Sequence, residues 1–348
     1  MDERDGRLKE ATEKIIAWCR GNRRPLPWRE DPTPYRVWVS EIMLQQTRIE
    51  TVIPYYERFM RLFPTVKALA EAPEEQVLKA WEGLGYYSRA RHLKKAAEMI
   101  VRDLGGELPE TAAELRKLPG IGAYTAGAIA SIACKKPEPA VDGNVLRVLA
   151  RLFASDEDVL SPAVRKRAEE ALRAVYPSGR DAALLTEGLM ELGETVCTVG
   201  EPTCEGCPVS GLCLAKTAGR QGELPVRSGP KERRREELTV LILVCGDKRA
   251  LRKRGDGGLL AGLWELPNYL GHLDEAALRR RLKEEGLSPL SVEKCGEAKH
   301  VFTHKEWHMT GYRVTLSAEA EGYTWETPER VREAYAVPSA FRAFMKKL

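Results

Sequence analysis

The sequence lacks any apolar run that approaches the ~20 residues needed to cross a membrane. Its first residues, Met1 to Lys9, are largely charged and contain no hydrophobic segment of the kind found in signal peptides. Net charge is also scarce, because 55 Lys and Arg are nearly balanced by 51 Asp and Glu to leave +4 at pH 7. These absences predict a cytoplasmic protein without a membrane partner. The slight basic excess permits nucleic-acid binding and does not demand it.

Cysteine is also rare, and half of it is concentrated in one loop. Four of the eight cysteines are scattered and are interpreted as small buried residues, whereas the other four follow a C-x6-C-x2-C-x5-C spacing: Cys197, Cys204, Cys207 and Cys213. Four thiolates on one short loop suit a metal centre in a reducing compartment better than disulfides. Structural zinc favours paired C-x2-C knuckles, and the loop contains one such pair. The spacing therefore does not favour structural zinc, which stays a possible metal for this loop.

The length of 348 residues predicts two domains, and the first of them has the periodicity of helices. Residues 1–214 form this helical part, which includes the cysteine loop at 197–213. Helix starts are visible where Thr111 begins a capping box with Glu114 and where Ser161 precedes Pro162. The predicted helices are an N-terminal one through Leu8–Trp18, Val37–Thr51 (ended by Pro54), Val66–Ala70, Glu75–Trp81, Arg89–Arg102, Thr125–Cys134, Asn144–Phe153, Pro162–Val175 and Ala182–Val196.

A change of pattern after residue 214 predicts a linker and then an α+β domain. Residues 215–235 are rich in Gly, Pro, Lys and Arg and show no periodicity, so they are interpreted as a basic linker, either solvated or lying along phosphates. Residues 236–348 contain a predicted helix at Asp274–Glu285. Alternating patterns around it predict strands at Leu238–Cys245, Ala250–Lys253, Trp264–Leu266, Val292–Ala298, Lys299–Met309 and Gly311–Ser317.

The most informative motif is L-P-G-I-G-A-Y-T-A-G-A-I-A from Leu118, followed by V-D-G-N ending at Asn144. Gly120 and Gly122 allow backbone N–H groups to approach a phosphate at the start of a helix, although a simple helix stop and restart would look similar. The spacing to Asp142 closely resembles the helix-hairpin-helix signature of base excision DNA glycosylases. In that family the aspartate matching Asp142 is essential.

This resemblance has further implications for chemistry. Relatives that also cut the strand have a nucleophilic lysine where this chain has Tyr124, and a phenol cannot form an imine. A monofunctional, hydrolytic glycosylase is therefore predicted, with a bifunctional lyase and a non-catalytic damage-binding protein as alternatives. The 6-2-5 cysteine spacing resembles the [4Fe–4S] loop of the same family, which implies an iron–sulfur cofactor.

A third motif, W-V-S-E-I-M-L-Q-Q-T-R at Trp38–Arg48, narrows the family. On a helix, Glu41 and Gln45 would share one face, and the alternative is an ordinary amphipathic helix with a solvent-facing glutamate. Together with G-L-W-E-L-P at Gly262–Pro267, the motif resembles MutY-type adenine DNA glycosylases, which carry a Nudix-like C-terminal domain. The helix R-R-R-L-K-E-E-G departs from the metal-binding Nudix box, so pyrophosphatase activity is not expected.

The MutY-type resemblance assigns roles to residues of the helical domain. Glu41 would be the proton donor and Asp142 the anion that stabilises C1′, with Tyr124 and Asn144 holding Asp142 and a water. We expect apolar surroundings to keep Glu41 protonated and N–H donors to keep Asp142 ionised. Residues implied to contact the flipped adenine or the duplex are Trp28, Arg29, Glu187, Gln46, Thr47, Leu84, Gly85, Tyr86, Gly120 and Gly122.

The same resemblance assigns the C-terminal domain to the opposite strand. Phe302, Thr303 and His304 match the F-S-H loop that reads 8-oxoguanine, with threonine in place of the usual serine. His300, His304 and His308 could suggest a metal site, but strand alternation is the preferred interpretation and would place all three on one face. The expected partner is double-stranded DNA containing A:8-oxoguanine or A:G mispairs, bound by a monomer at the nucleoid.

Overall fold

The computed structural model describes residues 3–229, 232–255 and 257–348. The chain divides into two compact units, the first formed by Met1–Ala72 and His92–Gly229 and the second by Pro73–Arg91 and Pro230–Leu348. The second unit therefore takes a segment from the middle of the predicted helical domain. The predicted domain boundaries at 214 and 236 stay predictions.

The first unit is built from helices, as its periodicity predicts. Among the described residues none of the helices is both long and apolar enough to span a bilayer. The helices of this unit are α1 (Glu3–Asn22), α2 (Pro27–Glu30), α3 (Pro34–Leu44), α4 (Ile49–Leu62), α5 (Val66–Glu71), most of α7 (Ser88–Leu104), α8 (Ala112–Leu115), α9 (Ala123–Ala128), a π-helical turn (Ile129–Ala133), α10 (Gly143–Leu152), α11 (Pro162–Val175), α12 (Arg180–Thr195), a 3-10 turn (Cys204–Gly206) and α13 (Leu214–Thr217).

The two predicted helix starts are confirmed, and the helices of this unit share an apolar core. Thr111 is the N-cap of α8 and accepts a hydrogen bond from the Glu114 backbone N–H at 3.3 Å. Ser161 is the N-cap of α11, although its hydroxyl makes no capping bond. One apolar core joins α1, α10, α11 and α12 through the buried faces that contain residues such as Ile15, Leu149 and Leu185.

The predicted helix Val37–Thr51 is wrong, because α3 ends at Leu44. Its apolar pattern stops there, and four polar residues follow before α4 begins at Ile49. Gln46 has a left-handed φ of 58°, and the Thr47 N–H donates to the Leu44 carbonyl at 3.2 Å. Pro54 lies inside α4 instead of ending a helix. A proline removes one backbone donor, a loss that the packing of α4 tolerates.

The segment after the cysteine loop is mostly bound to the first unit, although it has the composition of a linker. Arg151 Nε donates to the Leu224 carbonyl at 2.9 Å, and the Val159 N–H donates to the Val226 carbonyl at 3.1 Å. Arg220 is paired with Asp156. Residues 230 and 231 of the predicted linker lie outside the described residues. Specific hydrogen bonds therefore hold residues 220–226 against α10 and the turn that follows it.

The second unit is a mixed sheet covered by helices on both faces. Its strands lie in the order β3-β2-β1-β6-β5, with β4 beside β1 and β7 beside β2; β1 and β6 are parallel, and β5 and β6 are antiparallel. The elements are α6 (Glu74–Ala80), the start of α7, β1 (Arg234–Cys245), β2 (Lys248–Lys253), β3 (Trp264–Glu265), β4 (Asn268–Leu270), α14 (Glu275–Glu284), β5 (Pro289–Val301), β6 (Lys305–Leu316), β7 (Thr324–Glu326), α15 (Pro328–Ala334), a 3-10 turn (Ser339–Phe341) and α16 (Arg342–Met345).

Strand alternation explains why this sheet needs two covering layers. In β1, Val240 and Ile242 point into a core with Phe341 and Phe344, whereas Leu241 and Leu243 point into a second core with Leu278 and Leu282 of α14. A strand buried on both faces appears as an almost continuous apolar run, which is what the sequence L-T-V-L-I-L-V-C contains.

The predicted strand Lys299–Met309 is wrong, because a hairpin turn interrupts it. β5 ends at Val301 and β6 begins at Lys305, and the Phe302 N–H donates to the Lys305 carbonyl at 2.8 Å. In the register, His300 is opposite Trp307 and Lys299 is opposite His308, so His300 and His308 lie on opposite faces. The expectation that the histidines share one face is therefore also wrong. The turn instead exposes Thr303 at its tip.

Candidate active site

A buried carboxyl group and a phenol form the centre of the first unit. Glu41 on α3 is only 4% exposed, which excludes the solvent-facing alternative, and Tyr124 on α9 donates its hydroxyl proton to Glu41 Oε2 at 2.6 Å. Burial raises the pKa of Glu41 from 4.5 to about 7, although the Tyr124 hydrogen bond opposes the shift. Burial also raises the pKa of Tyr124 well above 10. Glu41 therefore keeps its proton to near-neutral pH, as expected from its apolar surroundings.

Asp142 is held by the end of the helix that follows it. It is the N-cap of α10, where Oδ1 accepts the Val145 N–H at 2.8 Å and Oδ2 accepts Asn144 Nδ2 at 2.9 Å. Burial raises the pKa of Asp142 above its ordinary 3.8, while these donors act to lower it. The expectation of a simply ionised aspartate therefore omitted the cost of burial. Both oxygens are nevertheless fixed by N–H groups, which favour the charged form.

A buried arginine continues this network away from Asp142. Arg147 Nη2 donates to Asn144 Oδ1 at 2.8 Å and to the Gly193 carbonyl at 2.7 Å, and its Nε donates to the Cys197 carbonyl at 2.8 Å. The α carbon of Gly193 lies so close to Asn144 that an added Cβ would be 2.6 Å from Asn144 Cβ. Asn144 is thus fixed on two sides and connects the aspartate to the start of the cysteine loop.

Two of the residues predicted to surround a flipped base, Arg29 and Glu187, lie in a charged cluster between α2 and α12. Arg29 Nη2 lies 2.8 Å from Glu191 Oε2, and Arg23 Nη1 lies 2.7 Å from Glu187 Oε2. Both glutamates are buried. Trp28 is 6% exposed, and its ring makes an edge contact with the Tyr56 ring, with 5.4 Å between the ring centroids. The structure therefore brings Arg29 and Glu187 together, with Arg29 Nε 3.9 Å from Glu187 Oε1, whereas the Trp28 ring packs against Tyr56.

The glycine turn of the hairpin connects α8 and α9. Gly120 has a left-handed φ of 77°, and an added Cβ would lie 2.6 Å from His92 Cβ, so both backbone and space require glycine. Gly122 is the N-cap of α9, is exposed and has open space around its α carbon. Backbone N–H groups at the start of α9 are thus presented at the surface, as a phosphate contact requires.

The Q-Q-T segment leaves α3 as an exposed turn. Gln46 is exposed in its left-handed conformation, and Thr47 is half-buried. Gln45 instead turns inward, with Nε2 3.4 Å from Thr125 Oγ1 on α9. Glu41 and Gln45 both reach α9, through Tyr124 and Thr125 respectively, which agrees with the expected i,i+4 relation even though Gln45 is already the C-cap of α3.

The four cysteines of the 6-2-5 loop line one cavity together with apolar side chains. Arg151 donates from Nη1 to Cys197 Sγ at 3.3 Å and to the Thr198 carbonyl at 2.7 Å. All eight cysteines, each within the described residues, are free. Among the described residues no three His, Cys, Asp or Glu side chains converge on a single-ion position. Residues lining the cavity include Cys197, Cys204, Cys207, Cys213, Val148, Leu192, Val196 and Val209.

In the second unit the structure brings together two motifs that are 217 residues apart. The Tyr86 hydroxyl and Thr303 Oγ1 are 2.9 Å apart, and both side chains are exposed. Gly85 has a left-handed φ of 72°, and Arg89 donates to the Gly85 carbonyl at 3.1 Å. Leu84, which is implied to contact the duplex, is only 6% exposed and does not lie at the tip of the loop. Tyr86 is the residue that the loop presents.

The hairpin turn supports Thr303 from both sides. Phe302 makes edge contacts with the His300 ring at 4.6 Å and with the Trp307 ring at 4.8 Å between centroids. His304 is exposed, and its carbonyl accepts the Arg234 N–H at 3.1 Å. Phe302 thus anchors the turn in the sheet, while Thr303 and His304 remain accessible.

Sequence reasoning missed several residues of the first site. Met190 Sδ lies 3.8 Å from the Tyr124 hydroxyl, and Glu191 accepts hydrogen bonds from Arg24 while pairing with Arg29. A signal for Glu191 and Arg147 existed, since each is a charged residue within an apolar helical pattern. A buried charge requires a partner, so such positions could have been treated as network members.

Comparisons with known proteins agree with this architecture. The profile of the family described as HhH-GPD superfamily base excision DNA repair protein matches residues 39–174, and that of the NUDIX domain matches residues 239–347. Three relatives are each named adenine DNA glycosylase. The rat protein is 34% identical over 95% of this chain and 77% of its own length. The human protein is 34% identical over 94% of this chain and 72% of its own length. The protein of Arabidopsis thaliana is 38% identical over 83% of this chain and 54% of its own length.

Solved structures match the helical part of the chain. A thermostable thymine-DNA glycosylase is 27% identical with a TM-score of 0.56, covering 62% of this chain and all of that one. A trapped endonuclease III–DNA covalent intermediate is 24% identical with a TM-score of 0.52, covering 62% of this chain and 98% of that one. At that identity the second similarity concerns the fold alone.

Proposed function

The chain belongs to the adenine DNA glycosylase family of helix-hairpin-helix base excision repair proteins, and we propose that it hydrolyses the N-glycosidic bond of adenine paired with 8-oxoguanine or guanine in duplex DNA. The observation that carries this proposal is the pair formed by Glu41 and Tyr124, with Asp142 close enough for its charge to act on both. Glycoside hydrolysis needs one protonated and one ionised carboxyl group at the same bond.

Glu41 supplies the proton in this proposal. Adenine is a poor leaving group until a ring nitrogen is protonated, and an acid with a pKa near 7 is suited to that transfer at neutral pH. The Tyr124 hydrogen bond to Oε2 leaves Oε1 to face a substrate and fixes the rotamer of the carboxyl group. The burial of Glu41 raises its pKa, and Tyr124 on α9 fixes the orientation of its carboxyl group.

Asp142 stabilises the positive charge that develops on the sugar. Its carboxylate is fixed by Val145 and Asn144, so it needs no rearrangement as the oxocarbenium character grows. Asn144 is in turn held by Arg147. A water positioned near Asp142 would complete hydrolysis by attacking C1′.

The proposed reaction is hydrolysis without strand cleavage. A lyase needs an amine that attacks C1′ to form an imine, and the hairpin position that carries this amine in lyase relatives carries Tyr124 here. The Tyr124 hydroxyl is engaged with Glu41, which gives the phenol a different task. A damage-binding protein without activity would have no use for a carboxyl group with a raised pKa.

DNA binding is proposed to involve both units. The hairpin at Gly120 and Gly122 would hold a phosphate, and Gln46 would enter the duplex as the adenine leaves the stack. Tyr86 and Thr303 would contact the partner base, with Phe302 and His304 supporting that loop. Leu84 is buried, so it would have to leave its position to fill the space that the adenine vacates. Among these residues it would need the largest rearrangement.

We also propose that Cys197, Cys204, Cys207 and Cys213 hold a [4Fe–4S] cluster. The donor set fits, because four thiols line one largely apolar cavity, and a cluster spreads its ligands more widely than a single ion does. When bound, the cluster supplies a rigid cross-link for the loop. The loop would then hold Arg147 through the Cys197 carbonyl.

A single-turnover assay tests the proposed function. The full-length protein should release adenine from A:8-oxoguanine fastest, from A:G more slowly, and from A:C least, without cutting the strand. Incubation with abasic DNA and borohydride should trap little covalent complex. Efficient trapping would establish a lyase instead, and duplex binding without base release would establish a damage-binding protein.

A further inference from the structure

The end of the helix that carries Tyr124 touches the segment that leads to Asp142. Gly127 lies one turn after Tyr124 on α9 and is buried. A Cβ added there would overlap the Pro139 carbonyl oxygen and lie 2.9 Å from the carbonyl carbon and 3.2 Å from the Ala140 α carbon. These neighbours are backbone atoms, so no side-chain rotation can relieve the overlap. Glycine is therefore required here because there is no space for a side chain. The contact lies close to Asp142, which follows Ala140 by two residues.

Hydroxyl groups fix Gly127 through its carbonyl oxygen. Ser131 Oγ donates to the Gly127 carbonyl at 2.7 Å, and Thr186 Oγ1 donates to Ser131 Oγ at 2.6 Å. Tyr176 completes the chain with its hydroxyl 2.6 Å from Thr186 Oγ1. All three hydroxyl-bearing residues are buried. Ser131 lies in the π-helical turn, a feature often found at functional sites. A buried and satisfied network of this kind makes one arrangement rigid.

We infer that Gly127 is a positioning residue for adenine release: its contact with Pro139 and Ala140 sets the position of Tyr124 relative to both Glu41 and Asp142. This inference rests on the proposed function. Tyr124 is the mechanical link, because it lies on the same helix as Gly127 and holds the Glu41 carboxyl group. The hydrogen-bonded hydroxyls of Ser131, Thr186 and Tyr176 hold Gly127 in this contact from the side of α12.

The test compares full-length Gly127→Ala with Gly21→Ala, a matched control in α1 that has open space around its α carbon. Gly127→Ala should lower the single-turnover rate on the order of 100-fold, since a misplacement of about 1 Å costs that much. Duplex affinity should be unchanged, because the hairpin turn is untouched. Gly21→Ala should match the wild type in both measurements. A wild-type rate in Gly127→Ala would overturn the inference.

A second readout does not depend on catalysis. The pKa of Glu41, followed by carbon NMR of labelled glutamate carboxyls in the free protein, should rise in Gly127→Ala. The reason is that the Tyr124 hydrogen bond lowers this pKa, and the substitution moves the hydroxyl away from Glu41 and lengthens that bond. A purely structural role would reduce thermal stability and leave this pKa unchanged, which would also overturn the inference.

If Gly127→Ala does not fold, Ser131→Ala gives the milder form of the test. It removes the hydrogen bond from Ser131 to the Gly127 carbonyl and adds no volume. The single-turnover rate should therefore fall less than in Gly127→Ala, and the pKa of Glu41 should again rise. An unchanged rate and pKa would contradict the inference. If the wild type releases no adenine while the pKa still rises in the variants, the proposed function fails and the positioning role stands.

Discussion

The proposed chemical site and the proposed lesion-reading surface are built in opposite ways. In the first unit, Glu41 is 4% exposed and Asp142 is held by two N–H donors. In the second unit, Tyr86 is 48% exposed and its neutral hydroxyl meets another neutral hydroxyl, that of Thr303. Burial raises the pKa of Glu41 and that of Asp142, whereas Tyr86 and Thr303 meet as two exposed hydroxyl groups.

This difference follows from what each region has to do. A group that transfers a proton or stabilises charge gains strength from a low dielectric and a fixed position. A group that identifies a base must be accessible and must exchange water or a local partner for the base, so its net contribution is small. Substitutions in the first region should therefore change rate strongly, and those in the second should change preference modestly.

The largest expected effect is that of Glu41→Gln. Losing the proton donor should lower the single-turnover rate by up to about 10,000-fold while duplex binding persists. Glu50→Gln, at an exposed position of α4, is the matched control and should have no effect. A Glu41→Gln rate within tenfold of the wild type would remove Glu41 from the role of acid.

The pH dependence of the wild type sharpens the same assignment. Because burial raises the pKa of Glu41 to about 7, the acid is protonated below that pH and the rate should fall as pH rises through about 7. The folded state also binds this proton more tightly than the unfolded state does. Stability should accordingly decline between the unfolded pKa of 4.5 and about pH 7, a decline that Glu41→Gln should abolish in thermal melts.

Asp142→Asn should have the next largest effect. It keeps the shape of the side chain and removes the charge that faces the sugar, which should lower the rate by about 100- to 1000-fold. Asp181→Asn, at a half-buried position at the start of α12 where the carboxylate pairs with Arg20, controls for the general loss of a carboxylate. Near-normal base release by Asp142→Asn would show that charge at this position does not stabilise the transition state.

Cys204→Ser tests whether the cysteine loop holds the proposed cluster and whether the cluster supports DNA binding. Purified wild-type protein should be brown and contain iron and sulfide, and Cys204→Ser should lose iron and bind duplex DNA more weakly. Cys134→Ser, outside the loop, should retain both properties. Stoichiometric zinc without iron in anaerobically prepared protein would contradict the iron–sulfur assignment.

The smallest expected effect is in the second unit. Tyr86→Phe and Thr303→Val each remove one hydroxyl, and each should lower the preference for 8-oxoguanine over guanine by about fivefold, or about 1 kcal/mol. Because the two hydroxyls form one contact, the double variant should lose little more than either single one. Additive losses would show that Tyr86 and Thr303 act independently.

The sequence predicted most of the fold where patterns are local. Helix starts at Thr111 and Ser161 followed from capping residues, and the strands β1 and β2 followed from the patterns at Leu238–Cys245 and Ala250–Lys253. The two wrong elements have a common cause. At Gln45–Arg48 and at Phe302–His304 the chain changes direction through short polar or mixed turns, and periodicity alone does not resolve such breaks.

What the sequence determined by itself is the residue set and the family, because motif spacing is a property of the chain: Glu41, Asp142, Tyr124 in place of lysine, and four cysteines. Only the tertiary structure decided which of them meet. It placed Tyr124 on Glu41, held Asn144 against Gly193, buried Leu84, and brought Tyr86 to Thr303 across 217 residues. Such contacts and the pKa of a buried carboxyl group depend on packing between distant segments, which no local pattern specifies.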